Sequence, residues 1–290
     1  MRSEREMLEL ILGVAAADER VRGVTMEGSR NNPCAPRDMF QDYDVSFHVT
    51  ELQPFLDQPE WVDVFGERII MQMPEAMSMF PPELGGRFSY LMLFTDGNRI
   101  DLILAPLGEN GPFPPEDRLV KVLLDKDGLF PQTAPPTDRD YWVKRPETGF
   151  FTDCCNEFWW VSTYVAKGLW RKELLYAQEH LNRFLRPMLL TMLDWQVGLQ
   201  NGFSVSTGKH GKYLEKHLPR ERWEELLSTY AAGSYPAVWE ALFAATRLFR
   251  RTAREAAAQL GSHYPEEEDR RVSAYLEHVR QLPEDAASIY

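Results

Sequence analysis

The chain has 290 residues, 44% of them hydrophobic and 12% aromatic, which is enough to bury a core in each of two ordinary domains. Its net charge of −12 excludes the broad basic surface that supplies most of the affinity in general nucleic-acid binding. No apolar run approaches the ~18–20 residues of a membrane span, and Cys34, Cys154 and Cys155 form neither a disulfide framework nor a metal-ligand spacing. A reduced, cytoplasmic chain with no nucleic-acid or membrane partner is expected.

In chain order, residues 3–18 predict a helix with Met7, Leu8, Leu10, Ile11 and Val14 on one side, and Ser3 and Glu6 are spaced as a capping box. Residues 21–27 read as a strand ending at Gly28-Ser29, and the Asn- and Pro-containing stretch 30–41 reads as a loop. Residues 43–49 predict a second strand, 59–65 a short helix and 68–73 a third strand. Residues 88–95 and 99–104 flank Asp96-Gly97-Asn98, whose residues suit the positive φ of a tight hairpin. A short helix is expected over residues 116–123, and a proline-rich stretch leads to a domain boundary near 131–148. From residue 152 the pattern turns helical: through 175, then 173–192, 209–217, 220–230, 235–260 and 266–281. The fold class expected is α/β (α+β): a mixed sheet flanked by helices, then an all-α bundle.

The charge is unevenly spread. Residues 1–135 hold 12 Lys+Arg against 23 Asp+Glu, and residues 136–290 hold 20 against 21. Acid in the first half suits a cationic small substrate, and it equally serves solubility.

Within that acidic half, Asp42 and Asp44 are two apart at the start of a strand, so both point to the same side of a sheet. Like charges that close repel unless a cation lies between them, and Mg²⁺ favours carboxylate oxygens together with substrate phosphates. Asp101 is a lone acid among four aliphatics, costly to bury without a partner, and a shared metal is such a partner. Three carboxylates are what a two-metal phosphoryl transfer needs, with Asp101 as a metal ligand, general base or both. Gly28 removes the Cβ that would keep a phosphate from the backbone, and Ser29 offers a hydroxyl and an N–H.

A triphosphate also needs positive charge. Residues 160–220 carry nine Lys+Arg against four Asp+Glu. Lys167 and Arg171 lie i,i+4 on one helical face, and Lys209 and Lys212 follow the glycine-containing loop at 206–208. Each of these also fits a solvated helix face. Trp159 and Tyr164 can stack on a ring of the substrate or pack in a core. Asn156 and Glu157 can bind a cationic substrate or flank a helix.

These motifs, Met26-Glu27-Gly28-Ser29-Arg30, Phe40-Gln41-Asp42-Tyr43-Asp44, Met71-Gln72-Met73-Pro74, Arg99-Ile100-Asp101-Leu102, Cys154-Cys155-Asn156-Glu157-Phe158-Trp159, Tyr164-Val165-Ala166-Lys167-Gly168-Leu169 and Trp239-Glu240-Ala241-Leu242-Phe243, resemble those of the aminoglycoside 6-adenylyltransferases. That family is the streptomycin-modifying branch of the nucleotidyltransferase superfamily, and the similarity runs over essentially the whole chain. It implies a nucleotidyltransferase domain over residues 1–135 and a helical substrate- and nucleotide-binding domain over 149–290, with the active site between them. The implied reaction joins AMP from Mg-ATP to the 6-hydroxyl of streptomycin and releases pyrophosphate. By position, Asp42 and Asp44 would ligate metal, two Mg²⁺ ions being expected. Asp101 would be the third carboxylate, and Ser29 and Arg30 would touch the triphosphate. Asp153 and Glu157 are candidates for the drug's guanidinium groups. A monomer is expected. Another hydroxyl acceptor, or a silent nucleotide-binding protein, are the alternative readings.

Overall fold

Alternation of apolar and polar residues in the first half builds a sheet with two unlike faces. The computed structural model describes residues 1–108, 118–131 and 134–290, and these divide into two units, Met1–Asp140 and Tyr141–Tyr290. In the first, a helix, α1 (Glu4–Ala17), precedes strands β1 (Val21–Met26), β2 (Tyr43–Val49), β3 (Arg68–Gln72), β4 (Phe88–Phe94), β5 (Arg99–Pro106) and β6 (Lys121–Asp125). They form one sheet in the order β3-β4-β5-β2-β1-β6, mixed because β2 and β5 run parallel while the other pairs are antiparallel.

The capping box is in place: the Ser3 hydroxyl accepts from Glu6 N, and the Glu6 carboxylate accepts from Ser3 N. It starts a helix that buries Met7, Ile11 and Ala15 against the sheet. The same core takes Val45, Phe47 and Val49 of β2 and Ile100, Leu102 and Leu104 of β5. Strand period then dictates that Asp44 and Asp101 face the other way.

The helix expected over 116–123 is not there. Residues 116 and 117 lie outside the described residues, and from Lys121 the chain is edge strand β6, paired antiparallel to β1. The run Val120 to Leu124 is short, apolar and β-branched at two positions, so helix and strand compete within it, and the open edge of β1 decides. A short helix α2 (Gln53–Leu56) also escaped the sequence reading, and the expected helix at Pro59–Phe65 is wound as a 3-10 helix.

The second unit is helical: α3 (Thr148–Trp170), α4 (Leu174–Glu179), α5 (Arg186–Gln200), α6 (Leu214–His217), α7 (Arg220–Ser228), α8 (Tyr235–Leu260) and α9 (Glu266–Gln281). A π-helical turn, His180–Leu185, joins α4 to α5, so the single helix expected over 173–192 is interrupted. The helix expected over 209–217 is instead two short turns, broken where His210 takes φ 58°. The core runs through all these elements, with the rings of Phe158 and Phe249 stacked at 3.7 Å. Such a pair adds about 0.5–1.5 kcal/mol to the burial itself. Gly168 lets α3 and α4 touch: a Cβ there would lie 2.8 Å from Tyr176 Cδ1. Among the described residues no helix is long and apolar enough to cross a membrane.

One polar group in this unit works against it. Asp194, on α5, has an Oδ1 with neither solvent nor a hydrogen-bond partner among the described residues. Burial pushes its pKa up to about 6, with Thr207 pulling the other way. A carboxyl whose folded pKa lies above its unfolded value costs stability once pH rises through the folded value, and costs nothing below the unfolded one. Asp194→Asn should therefore raise stability at pH 8 by up to about 3 kcal/mol, measured by denaturant unfolding. The gain should shrink through pH 6 and vanish near pH 4.

Candidate active site

The site begins with register. In the parallel β2–β5 pair, Asp44 stands opposite Asp101, and Asp42 lies two residues before Asp44, on the same side. The structure thus brings together the three carboxylates that the sequence singled out. Burial raises the Asp44 pKa to about 6, reinforced by the charges of Asp101 and Asp42. Asp42 is raised as well, by burial first, with Arg99 opposing it.

The loop beneath them is shaped around Asp44. Gly28 has φ +73°, and a Cβ on it would lie 2.3 Å from Asp44 Oδ2. The positive φ favours glycine there, and a Cβ would push the Asp44 carboxylate aside. Gly28 opens a single 3-10 turn, Gly28–Asn31, which holds Ser29, and Gln41 Nε2 donates to Ser29 O at 3.3 Å.

Arg30 is placed differently from its expected role. Its side chain is buried, its Nε donates to Asp42 O at 3.0 Å, and a second nitrogen donates to Gln41 O at 2.8 Å. The remaining nitrogen pairs with Glu4 at 3.4 Å, and the guanidinium lies 3.7 Å over the Tyr43 ring. Two of its nitrogens are committed to the loop that carries Asp42 and the third to Glu4 at the start of α1. Arg30 is a brace for a carboxylate, and it is not aimed at a phosphate.

Two side chains that the sequence reading left unassigned join the cluster. Arg99 lies two residues before Asp101 and grips it with a fork, Nε to Oδ1 at 2.8 Å and a terminal nitrogen to Oδ2 at 2.7 Å, while Asp42 Oδ2 is 3.7 Å away. Glu27 follows β1, its N–H donating to Asp44 O at 2.8 Å. Its carboxylate accepts from Thr25 Oγ1 at 2.5 Å and Ser46 Oγ at 3.4 Å. The signal for both was available: Arg99 and Asp101 are i,i+2 within β5, and Thr25 and Glu27 are i,i+2 across the end of β1.

The chemistry of the donors suits a hard divalent cation, since three carboxylates meet one guanidinium, and the Gly28 cradle holds an oxygen that a Cβ would expel. The parallel register sets the backbones of Asp44 and Asp101 side by side. The oxygens are not gathered around a point, however, and no set of three or more acids, histidines or cysteines among the described residues stands at metal-holding spacing. Asp101 has both of its oxygens turned to Arg99.

In the helical unit, Asp153, Asn156 and Glu157 share the exposed side of α3, and Asn156 donates weakly to Glu268 at 3.5 Å. Trp159, expected among the substrate contacts, is 1% exposed and packs edge-on against Phe158 and Phe249. One helical position away from that exposed side, it falls on the core face and offers no ring to a ligand. Tyr164 is half-buried, its hydroxyl accepts from Trp160 Nε1 at 3.0 Å, and Lys167 Nζ sits 4.7 Å over its ring. Arg171 and Lys209 are exposed, and Lys212 lies 5.1 Å over Tyr213.

Two substitutions test this construction. Gly28→Ala should cost about 1–3 kcal/mol through the positive φ, and it should displace the Asp44 carboxylate, lowering turnover at least tenfold. Unfolding and pyrophosphate release read the two effects separately. Arg30→Met should destabilise by about 1–3 kcal/mol because two carbonyls and Glu4 lose their partner, with the KM for nucleotide little changed; a large KM rise at full stability would contradict the bracing role.

Relatives agree along the whole length. The family model described as streptomycin adenylyltransferase matches residues 1–279. An aminoglycoside 6-adenylyltransferase of Bacillus subtilis (strain 168) is 48% identical over 280 residues, covering 96% of this chain and 98% of that one. One of Campylobacter jejuni is 47% identical over 97% of this chain and 96% of its own, and one of Staphylococcus aureus is 40% identical over 91% and 94%. A crystal structure of an aminoglycoside 6-adenyltransferase from Bacillus subtilis aligns at 44% identity with a TM-score of 0.49, covering 97% of this chain and all of that one. The chain belongs to the streptomycin adenylyltransferase family and is a nucleotidyl-transferring enzyme.

Proposed function

We propose that the enzyme transfers AMP from Mg-ATP to the 6-hydroxyl of streptomycin and so confers resistance to the drug. The observation that carries the reading is the in-register pair Asp44 and Asp101 with Asp42 beside them, on one face of the sheet over Gly28. The family description and the relatives' names support the class of acceptor.

Asp42, Asp44 and Asp101 would hold Mg²⁺, expected as two ions, which when bound would neutralise the triphosphate and stabilise charge on the leaving group. Asp101 borders the attacking hydroxyl and takes its proton. The hydroxyl oxygen forms a bond to the α-phosphorus, the bond from that phosphorus to the bridging oxygen breaks, and pyrophosphate leaves. Ser29 donates to a phosphate oxygen at the loop. The basic residues Lys167, Arg171, Lys209 and Lys212 of the helical unit are the proposed partners of the triphosphate. Asp153, Asn156, Glu157 and Tyr164 are the proposed contacts of the drug. Guanidinium groups on streptomycin match an acidic first unit by charge. The chain is proposed to act as a monomer in the cytoplasm.

The test is pyrophosphate release across a panel of hydroxyl acceptors, with and without Mg²⁺. Release should need both streptomycin and the metal, and Asp42→Asn or Asp44→Asn should lower turnover by about 10²-fold or more, the scale of lost metal or acid–base assistance. Asp101→Asn should lower kcat more than it changes the KM for ATP. Equal release with no aminoglycoside present would sink the acceptor assignment, and near-full turnover in Asp44→Asn would sink the metal assignment.

A further inference from the structure

We infer that Arg99 is a built-in counter-ion of the carboxylate cluster, which a divalent cation must displace from Asp101 in order to bind. The inference rests on the metal reading of Asp42, Asp44 and Asp101.

Geometry is the first support. Arg99 and Asp101 project from the same face of β5 because they are two residues apart. The guanidinium fork takes one oxygen of Asp101 with Nε and the other with a terminal nitrogen, at 2.8 and 2.7 Å. A fork–fork pair is the strongest way for arginine to occupy a carboxylate, and it fixes the plane of the acid as well as its charge. The same Nε stands 3.7 Å from Asp42 Oδ2, so one cation serves the acids on both strands' ends.

Charge is the second. Asp44 lies opposite Asp101 in register, and Asp42 shares its side. Among the described residues Arg99 is the one cation within ion-pair distance of these carboxylates; the nearby Arg30 spends its hydrogen bonds on the carbonyls of Gln41 and Asp42 and pairs with Glu4. A dication drawn to the three acids meets a guanidinium already spread across two of them. Both cannot use the inward oxygens of Asp101 together.

Space is the third. The Arg99 side chain is 42% exposed and forms part of the wall of a cavity of about 520 Å³, together with Met39, Phe40, Gln41, Asp42 and Gln72. Within the same unit there is room for the guanidinium to turn away from Asp101 without unfolding anything. Arg99 therefore acts as a positioning residue: it keeps the acids apart in charge when no cation is bound, and it sets a threshold that the cation must exceed. A metal carried in on a nucleotide brings additional phosphate contacts and crosses that threshold more readily than the free ion does.

The experiment is a Mn²⁺ titration of the nucleotide-free protein, followed by the electron paramagnetic resonance signal of unbound Mn²⁺. Arg99→Gln should bind Mn²⁺ about fivefold more tightly than the wild type, the scale of one partly exposed ion pair. Arg99→Lys keeps the charge and loses the fork, so it should fall between the two. The same variants should unfold at lower temperature without Mn²⁺ and gain more than the wild type when it is added. Unchanged or weaker Mn²⁺ binding by folded Arg99→Gln overturns the inference. Tightening in Arg99→Lys, short of that in Arg99→Gln, supports displacement of the fork, whereas wild-type affinity in Arg99→Lys overturns it in favour of charge alone. The metal reading is checked separately: Asp44→Asn should lose Mn²⁺ in either background, and undiminished binding there defeats that reading together with what rests on it.

Discussion

Mutual repulsion among carboxylates held on one side of a sheet is the constraint from which the first unit's local structure follows. Asp44 and Asp101 are fixed opposite each other by the parallel register of β2 and β5, and no side-chain adjustment separates their backbones. The surroundings answer that repulsion piece by piece. Gly28 gives an Asp44 oxygen a place to lie, Arg30 ties the carbonyls next to Asp42, and Arg99 supplies the one guanidinium in the cluster. The raised pKa values of Asp44 and Asp42, set by burial first and by the neighbouring charges second, are what remains unrelieved.

The sheet's other face explains why this arrangement is tolerated. Met7 and Ile11 of α1, Val45 and Phe47 of β2, and Leu102 and Leu104 of β5 are buried in one continuous core. At roughly 1.5–3 kcal/mol for each fully buried large side chain, that face outweighs several kcal/mol of electrostatic strain opposite it. The helical unit has a core of its own, and it carries its own small debt in the orphaned Asp194 oxygen. Each unit thus holds acid in an unfavourable setting, Asp42 and Asp44 in the first and Asp194 in the second, against a well-packed background.

Much of this was legible in the residues. A carboxylate alternating with buried aromatics, and another inside an aliphatic strand, allow few explanations, because burying such a group unpartnered is expensive. The capping box at Ser3, the Asp-Gly-Asn turn and the long periodic helix at Tyr235–Leu260 are local signals, and local signals are carried by neighbouring residues. What stayed hidden depends on partners distant in sequence. Strand β6 exists because β1 offers an edge, and Arg30 turned inward because two carbonyls from the next loop lay within reach. Trp159 shows a finer limit. Residues 156–160 contain two adjacent tryptophans, and only packing decides which faces the core: Trp159 does, and Trp160 is left exposed. The π turn at His180–Leu185 belongs to the same class, since it accommodates packing and leaves no mark in composition.

The parallel neighbours β2 and β5 have a further consequence, in the order of assembly. Antiparallel partners joined by a tight turn, such as β4 and β5, close a short loop quickly, whereas joining Asp44 to Asp101 closes one of more than fifty residues and must absorb its entropy first. As the chain leaves the ribosome, Asp42 and Asp44 are made well before the strand that completes them. The growing chain therefore carries no closed group of three carboxylates, and that group is complete once the hairpin of β4 and β5 docks beside β2.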